Sequence, residues 1–429
     1  MLLATGAGSV LAWLMIARLG PLELHAKAFV GWYALAFLCY VLACMALAVV
    51  SGRGTRLPRR WLLVLLAFAL AQRLAALPVP PSDDVYRYLW EASVQSHGAN
   101  PYVLAPDAPE LAGLAAESAW HGSVNHPDWT AIYPPLAQLW HRGVAAVRPD
   151  PLGMKLSFLL AEVALVGMLL VLLARRGLPA ERVLIYAWNP LAVHSIAASA
   201  HHDSLAAALL VSALVMLGDG KAVSAATLGV AAALSKGFAL VALPVLLATR
   251  RLAPWLVAAG LAALALLPFL DAGPHLLGSL HRFGSELHSN DSLHALARWA
   301  LGADAARVAM AGAWLLAALW VLRRGPHDPV HRVAFLLGSL FLVLPTVHPW
   351  YLMALLPLLT VHAWWGWLAL TGSSALIWLG HAPAGGDERW TEAPLLKILE
   401  YAPLFLWLLW IVARRARART APSDLEPPT

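Results

Sequence analysis

Apolar runs about as long as a membrane span recur along most of the chain, separated by short polar stretches. They lie near 2–19, 28–51, 61–79, 152–174, 183–199, 204–218, 254–271, 304–322, 333–347, 351–370, 371–382 and 394–413. A helix crosses the hydrocarbon core with about 20 residues. The pattern therefore predicts an all-α polytopic membrane protein: one transmembrane domain over 1–429, built as a bundle of about 11–13 membrane helices. The first run lacks a basic flank and a clear small-x-small site, so it reads as a retained span rather than a signal peptide.

Arginine clusters between the runs set the sidedness. Arg53, Arg56, Arg59 and Arg60, then Arg175, Arg176 and Arg182, then Arg250 and Arg251, then Arg323, Arg324 and Arg332 mark cytoplasmic loops. Arg414, Arg415, Arg417 and Arg419 open a polar cytoplasmic tail over 414–429. With these inside, the long polar loop 80–151 falls outside. So do His201-His202-Asp203, the stretch 272–300, His348-Pro349-Trp350-Tyr351 and the segment 383–393. The polar clusters able to do chemistry thus share one face.

Residues 218 and 250 both fall on the cytoplasmic side, yet only the apolar stretch 222–249 lies between them. At about 1.5 Å per residue, two legs of about fourteen residues cannot each cross the bilayer. The spacing predicts a re-entrant pair of short helices with Ser235-Lys236-Gly237 at the tip and Pro244 in the returning leg. A lysine at that depth needs a protein-lined cavity.

Composition narrows the class. Hydrophobic residues make up 60% of the 429 and charged residues 13%, against about 45–50% and about 25% in a soluble protein. That excludes a cytosolic enzyme, a secreted disulfide scaffold and a disordered chain. The isoelectric point of about 9.5 comes from the arginine clusters, so nucleic acid is not an expected partner. Cys39 and Cys44 sit in one apolar run and say nothing about redox state. Scarce Lys with abundant Ala, Leu and Arg hints at a GC-rich bacterial gene.

Loop 80–151 is too long for a connector. It opens with Ser82-Asp83-Asp84-Val85-Tyr86-Arg87-Tyr88-Leu89-Trp90-Glu91. Ser82 or Asp83 can cap a helix there, with Tyr86, Trp90 and Val94 on one face and Asp84, Arg87 and Glu91 on another. Such a helix is expected to lie along the membrane surface. Ala131-Ile132-Tyr133-Pro134-Pro135-Leu136 starts a second surface segment. Adjacent carboxylates raise one another's pKa, which suits a general base. The bland reading of the pair is helix capping plus a salt bridge to Arg87. Within the fourth span, Glu162 needs a partner, and Lys155 two turns away is the candidate.

The order of motifs resembles the GT-C superfamily of integral-membrane glycosyltransferases, above all the bacterial polyprenyl-phosphate-mannose-dependent mannosyltransferases. The resemblance rests on Asp83-Asp84 after an early span, Tyr86-Arg87-Tyr88, Asn100-Pro101-Tyr102 and Tyr133-Pro134-Pro135-Leu136. It continues in Asn189-Pro190-Leu191 followed by Ala200-His201-His202-Asp203, in Ser235-Lys236-Gly237, and in His348-Pro349-Trp350-Tyr351. Where Ala200 stands, the family often has Gly. The resemblance implies transfer of a hexose, mannose by preference, from a polyprenyl-phosphate donor to a lipid-linked or glycan acceptor. The reaction would be an inverting in-line displacement on the periplasmic side of the bacterial cytoplasmic (inner) membrane.

It assigns the base to Asp84, with Asp83 as the other candidate, and phosphate binding to Lys236, Arg87 and His202. Substrate contacts fall to His201, Asp203, His348, Tyr133, Asn100 and Tyr102. No cofactor is required by this reading, although a divalent cation (Mg or Mn) at His201-His202-Asp203 with Asp83 stays open. The stretch 272–300, with His275, His281, Arg282, His288, Asn290, Asp291, His294 and Arg298, is a candidate outer loop for acceptor contacts. The rival classes are a lipid or glycan flippase or transporter, and a lipid-linked glycan polymerase or ligase. Against the transporter, neither loop 80–151 nor the Lys236 hairpin recurs in a second half.

Overall fold

Five helices are long and apolar enough to span a bilayer: Ala26–Val50, Pro151–Arg175, Leu252–Glu286, Ala303–Arg324 and Pro394–Arg417. Shorter apolar helices, Leu2–Ile16, Asp203–Gly218, Ala222–Ser235, Gly237–Leu246 and Pro329–Val343, pack among them. The computed structural model describes residues 1–52, 57–380 and 393–420. Arg53 and Arg56 of the first basic loop, residues 383–392 of the expected outer segment and the tail from 421 lie outside the described residues. Among the described residues there is no β-strand, only an isolated parallel bridge between Ser289 and Thr346. The chain is an all-α polytopic membrane protein.

Two expected spans are not continuous helices. The run 183–199 breaks into Ala180–Val183, Leu184–Ala187, Pro190–Val193 and a π-helical turn His194–Ala198. Pro190 lacks an amide proton and drives the residue before it out of the helical region; Asn189 accordingly has ψ 124°. Pro349 does the same to His348 (ψ 148°), and Pro357, which has no amide proton to donate, sits in the second of the short turns Pro349–Ala354 and Leu356–Thr360 ahead of the helix Trp365–Ser373. Such irregular backbone is tolerated at depth because it is enclosed by other helices.

The stretch 222–249 forms two short legs. Ala222–Ser235 ends where Lys236 turns extended (φ −150°, ψ 122°), and Gly237–Ala242 with Leu243–Leu246 runs back. The legs touch closely: a Cβ on Gly229 would stand 2.4 Å from Leu246 Cδ1.

The helix Pro151–Arg175 separates two polar ends. At its start, Lys155 Nζ donates to the carbonyls of Leu77, at 2.9 Å, and of Val79. At its far end, 25 residues on, Arg175 pairs with Asp219 and Arg176 with Asp328. Arg182 donates there to Thr360 O (2.7 Å) and Val361 O (2.9 Å). Arg175, Arg176 and Arg182 thus meet Asp219, Asp328 and the turn at Thr360 at the end of this helix away from Lys155.

Glu162 is partnered by Arg73, not by Lys155. Arg73 reaches it through Nη2 (2.7 Å) and Nε (3.1 Å), and the Tyr186 hydroxyl adds a 3.0 Å bond. Seven residues along a helix is about 10 Å, beyond the reach of a direct Lys155–Glu162 contact. Arg73 also donates to Ala187 O, tying the helix Arg59–Ala76 to the broken segment that leads to His201.

Candidate active site

The acidic motif begins the helix Asp84–Ser96, which packs on Pro135–Val147. This helix is enclosed by protein on both of its faces. Val85, Tyr88, Leu89, Trp90, Val94 and the Arg87–Glu91 pair are all buried, because residues 97–134 fold over it. Nor is Asp83 or Ser82 a cap. Asp83 makes no capping bond, and Ser82 donates from its hydroxyl to Ser199 O at 2.9 Å. That bond holds the acidic motif against the turn carrying His201.

At this junction Asp84 Oδ2 lies 3.3 Å from His201 Nδ1, and Asp84 Oδ1 accepts a 3.1 Å bond from the Asn125 amide. The same amide donates to Asp83 Oδ2 at 3.1 Å. Asp84 is only 18% exposed, whereas Asp83 stands at the rim. Burial pushes the Asp84 pKa up, but the His201 imidazole, the Lys236 charge and the Asn125 amide outweigh it. They hold the carboxyl well below the usual carboxylate range. Asp83 moves the other way: crowding by protein and the neighbouring Asp84 charge raise it. The adjacent pair is split into an ionised inner member and a more basic outer one.

His201 is set by a stack of three rings. Trp350 lies 4.0 Å from the His201 ring at 15°, and His348 lies 4.5 Å from Trp350 at 5°. Trp350 is thus stacked with two imidazoles. The stack also explains how a motif late in the chain reaches Asp84.

Below the pair, Lys236 Nζ is 3.1 Å from Asp203 Oδ2, with the Tyr351 ring centroid 5.7 Å away. The extended conformation of Lys236 at the helix break aims its side chain toward the first turn of Asp203–Gly218. These two charges border a small cavity of about 10 Å³, otherwise lined by Ala206, Ala207, Leu210, Phe238, Ala239 and Ala354. Its walls are apolar and its head ionic.

His202 is fully buried, and neither ring nitrogen has a partner. It belongs to a cluster with Tyr88, Tyr133 and His141, at ring-centroid separations of 5.3, 5.0 and 5.2 Å. Both nitrogens of His141 and the Tyr88 hydroxyl are likewise buried and unpartnered. Unsatisfied polar atoms at this density mark a functional region or bound water rather than a folding core.

Arg87 changes role. Arg87 has no donor left for a phosphate. Its five N–H groups are spent on Glu91 (3.0 Å), the Asn125 side chain (3.0 Å) and the carbonyls of Asn125, His126 and Trp129. It does not bridge to Asp84; it holds the loop that presents Asn125. Asn100 is consumed by Asp271 (2.6 Å) and the Tyr102 amide (2.9 Å), and the Tyr102 hydroxyl donates to Tyr133 O. Both pin the loop internally. His201, His202, Asp203 and Asp83 do not gather three ligand atoms around one point, unlike the described trio His288, Asp291 and His294.

The stretch 272–300 docks onto the first loop. Arg282 pairs with Asp128 (2.8 Å) and lies over the Trp129 ring, and the Thr130 and Ser279 hydroxyls are 2.7 Å apart.

Sequence reasoning missed Asn125, Trp350 as a positioning group, and His141. For His141 a signal existed: with Gln138 at i−3 it shares the buried face of Pro135–Val147. Asn125 lies in irregular loop, where no periodicity marks it.

The search of curated proteins gives no match to this chain. The family defined as alpha-(1->6)-mannopyranosyltransferase, N-terminal domain (MptA_B) matches residues 3–251. That match takes in Asp83, Asp84, Asn189, the His201–Asp203 turn and Lys236, and it ends before His348. With over half of its 429 residues inside the match, the chain belongs to the alpha-(1->6)-mannopyranosyltransferase family and is a mannosyl-transferring glycosyltransferase of the membrane.

Proposed function

We propose that the protein transfers mannose from a polyprenyl-phosphate donor to a hydroxyl of a lipid-linked or glycan acceptor. The reaction takes place at the outer face of the bacterial cytoplasmic membrane. Asp84 takes the proton from the acceptor hydroxyl. The freed oxygen attacks the anomeric carbon in line, the bond from that carbon to the phosphate oxygen breaks, and the configuration inverts. Lys236 receives the charge that develops on the leaving polyprenyl phosphate. In the free protein Asp203 neutralises Lys236, and donor phosphate competes for that cation.

One observation carries this reading. A carboxylate held by His201 and Asn125 stands near Lys236, whose ammonium is bordered by Asp203 and by apolar side chains. Apolar side chains beside Lys236 suit the start of a polyprenyl chain behind its phosphate, and a nucleotide sugar has no use for them. His202, with its unpartnered nitrogens beside Lys236, supplies a neutral donor to the same phosphate. Asp203 and His348 act by holding Lys236 and Trp350. Metal is not needed for this scheme, since Lys236 supplies the positive charge.

The test is transfer by the full-length protein in sealed membrane vesicles of both orientations, with labelled polyprenyl-phosphate mannose and GDP-mannose as alternative donors. Label is expected from the polyprenyl donor alone, with acceptor reached from the outer face. Transfer from GDP-mannose in a preparation free of polyprenyl-phosphate-mannose synthase would contradict the donor assignment.

A further inference from the structure

A second cluster lies outside this site, where the loop 287–294 meets the segment before His348. His288, Asp291 and His294 each offer one ligand atom, and these atoms lie within 4.8 Å of one another. Asp291 and His294 are fully buried and His288 half-buried. His288 Nδ1 is buried without any hydrogen-bond partner, and His294 turns its Nδ1 toward Asp291. Asp291 Oδ2 stands 3.4 Å from His294 Nδ1, long for an N–H···O bond. Two ligands on one tetrahedral ion, at about 2.0–2.1 Å each, stand about 3.3 Å apart. The pair is spaced as the edge of a coordination sphere.

We propose that His288, Asp291 and His294 bind a divalent transition metal of the zinc class, as a structural clamp separate from the sugar-transfer site. Two imidazoles and one carboxylate suit zinc, whereas calcium and magnesium need oxygen ligands. Lys397 Nζ, 2.7 Å from Asp291 Oδ1, acts on the oxygen turned away from the ion, as an outer-shell partner of a ligating carboxylate does. Arg298, 3.6 Å from Oδ2 and 41% exposed at its side chain, is the group that a metal displaces.

The clamp has a mechanical consequence. Ser289 N donates to Pro345 O (3.1 Å), Val347 N donates to Ser289 O (2.9 Å), and the Asn290 amide donates to Val347 O (3.2 Å). An ion at this cluster locks the segment that leads into His348 and so into the ring stack on His201.

The test uses full-length protein without a histidine tag, purified in detergent, stripped with EDTA and titrated with zinc. Metal content is read by mass spectrometry and thermal unfolding is followed in parallel. About one zinc per chain is expected, with a rise in Tm that calcium and magnesium do not reproduce. His288→Asn, a change at a half-buried position, is expected to weaken zinc binding at least tenfold. Arg298→Ala, which removes the competing cation, is expected to tighten it. No zinc retained at micromolar free metal overturns the proposal, as does unchanged affinity in His288→Asn.

Discussion

Asp84 Oδ2 lies 3.3 Å from Nδ1 of His201, although the two residues belong to elements far apart in the chain. The contact exists because Ser82 bonds to Ser199 O and because Trp350 and His348 stack behind the imidazole. It makes His201 the tuning group of the base. With Asp84 held below the usual carboxylate range, the acid limb of kcat/KM should fall below pH 4. Replacing His201 by Asn removes a factor that lowers the carboxyl, so the Asp84 pKa rises and the acid limb moves toward neutrality. A pH–rate profile of His201→Asn with an unmoved acid limb would contradict this.

Arg87 gives a sharper discrimination. Lysine in its place keeps the charge but offers three donors in place of five. The Asn125 loop loosens, and Asp84 loses alignment. Arg87→Lys should lower kcat by about 10²-fold, as expected for misplaced catalytic groups, with donor KM unchanged. A raised donor KM at constant kcat would instead return Arg87 to the phosphate.

Arg73 and Glu162 form a buried pair that Tyr186 completes. Removing one member strands a charge, at a cost of about 3–5 kcal/mol. Arg73→Ala should therefore unfold well below wild type in a detergent thermal melt. Glu162→Gln, which keeps a hydrogen-bonding oxygen, should lose less. Equal melts for wild type and Arg73→Ala would show that the pair carries no stability.

Ala200 has φ +63°, a left-handed conformation that costs a residue with a Cβ about 1–2 kcal/mol. Glycine removes that strain but gains unfolded-state entropy, about 0.4–1 kcal/mol in the other direction. Ala200→Gly should melt at or slightly above wild type and keep activity, while the β-branched Ala200→Val should lose both. The comparison is a melt and a transfer assay on the same preparations.

Much of this arrangement was legible in the sequence. The apolar runs located the long helices, and too few residues for two crossings exposed the hairpin at Lys236. The family's motif order placed Asp84, His201, Asp203 and His348 in one neighbourhood. What was not legible is pairing. Periodicity tells which face of a helix is buried, not that Arg73 meets Glu162 or that Arg87 spends all its donors on a loop. The aromatic face of the helix Asp84–Ser96 is legible, but not that residues of 97–134 fold over it and bury it. Pro190, Pro349 and Pro357 signalled broken spans, and hydropathy alone hid them.

The central claim is that Asp84 accepts the acceptor proton. It is tested most directly by single-turnover mannosyl transfer from labelled polyprenyl-phosphate mannose, with wild type, Asp84→Asn and Asp83→Asn compared at equal donor occupancy. Loss of a general base lowers the chemical step by about 10²–10⁴-fold. Asp84→Asn should fall by that much while still binding donor, and Asp83→Asn, at the rim, should fall less than about tenfold by the same reasoning. Transfer by Asp84→Asn at the wild-type rate would contradict the account.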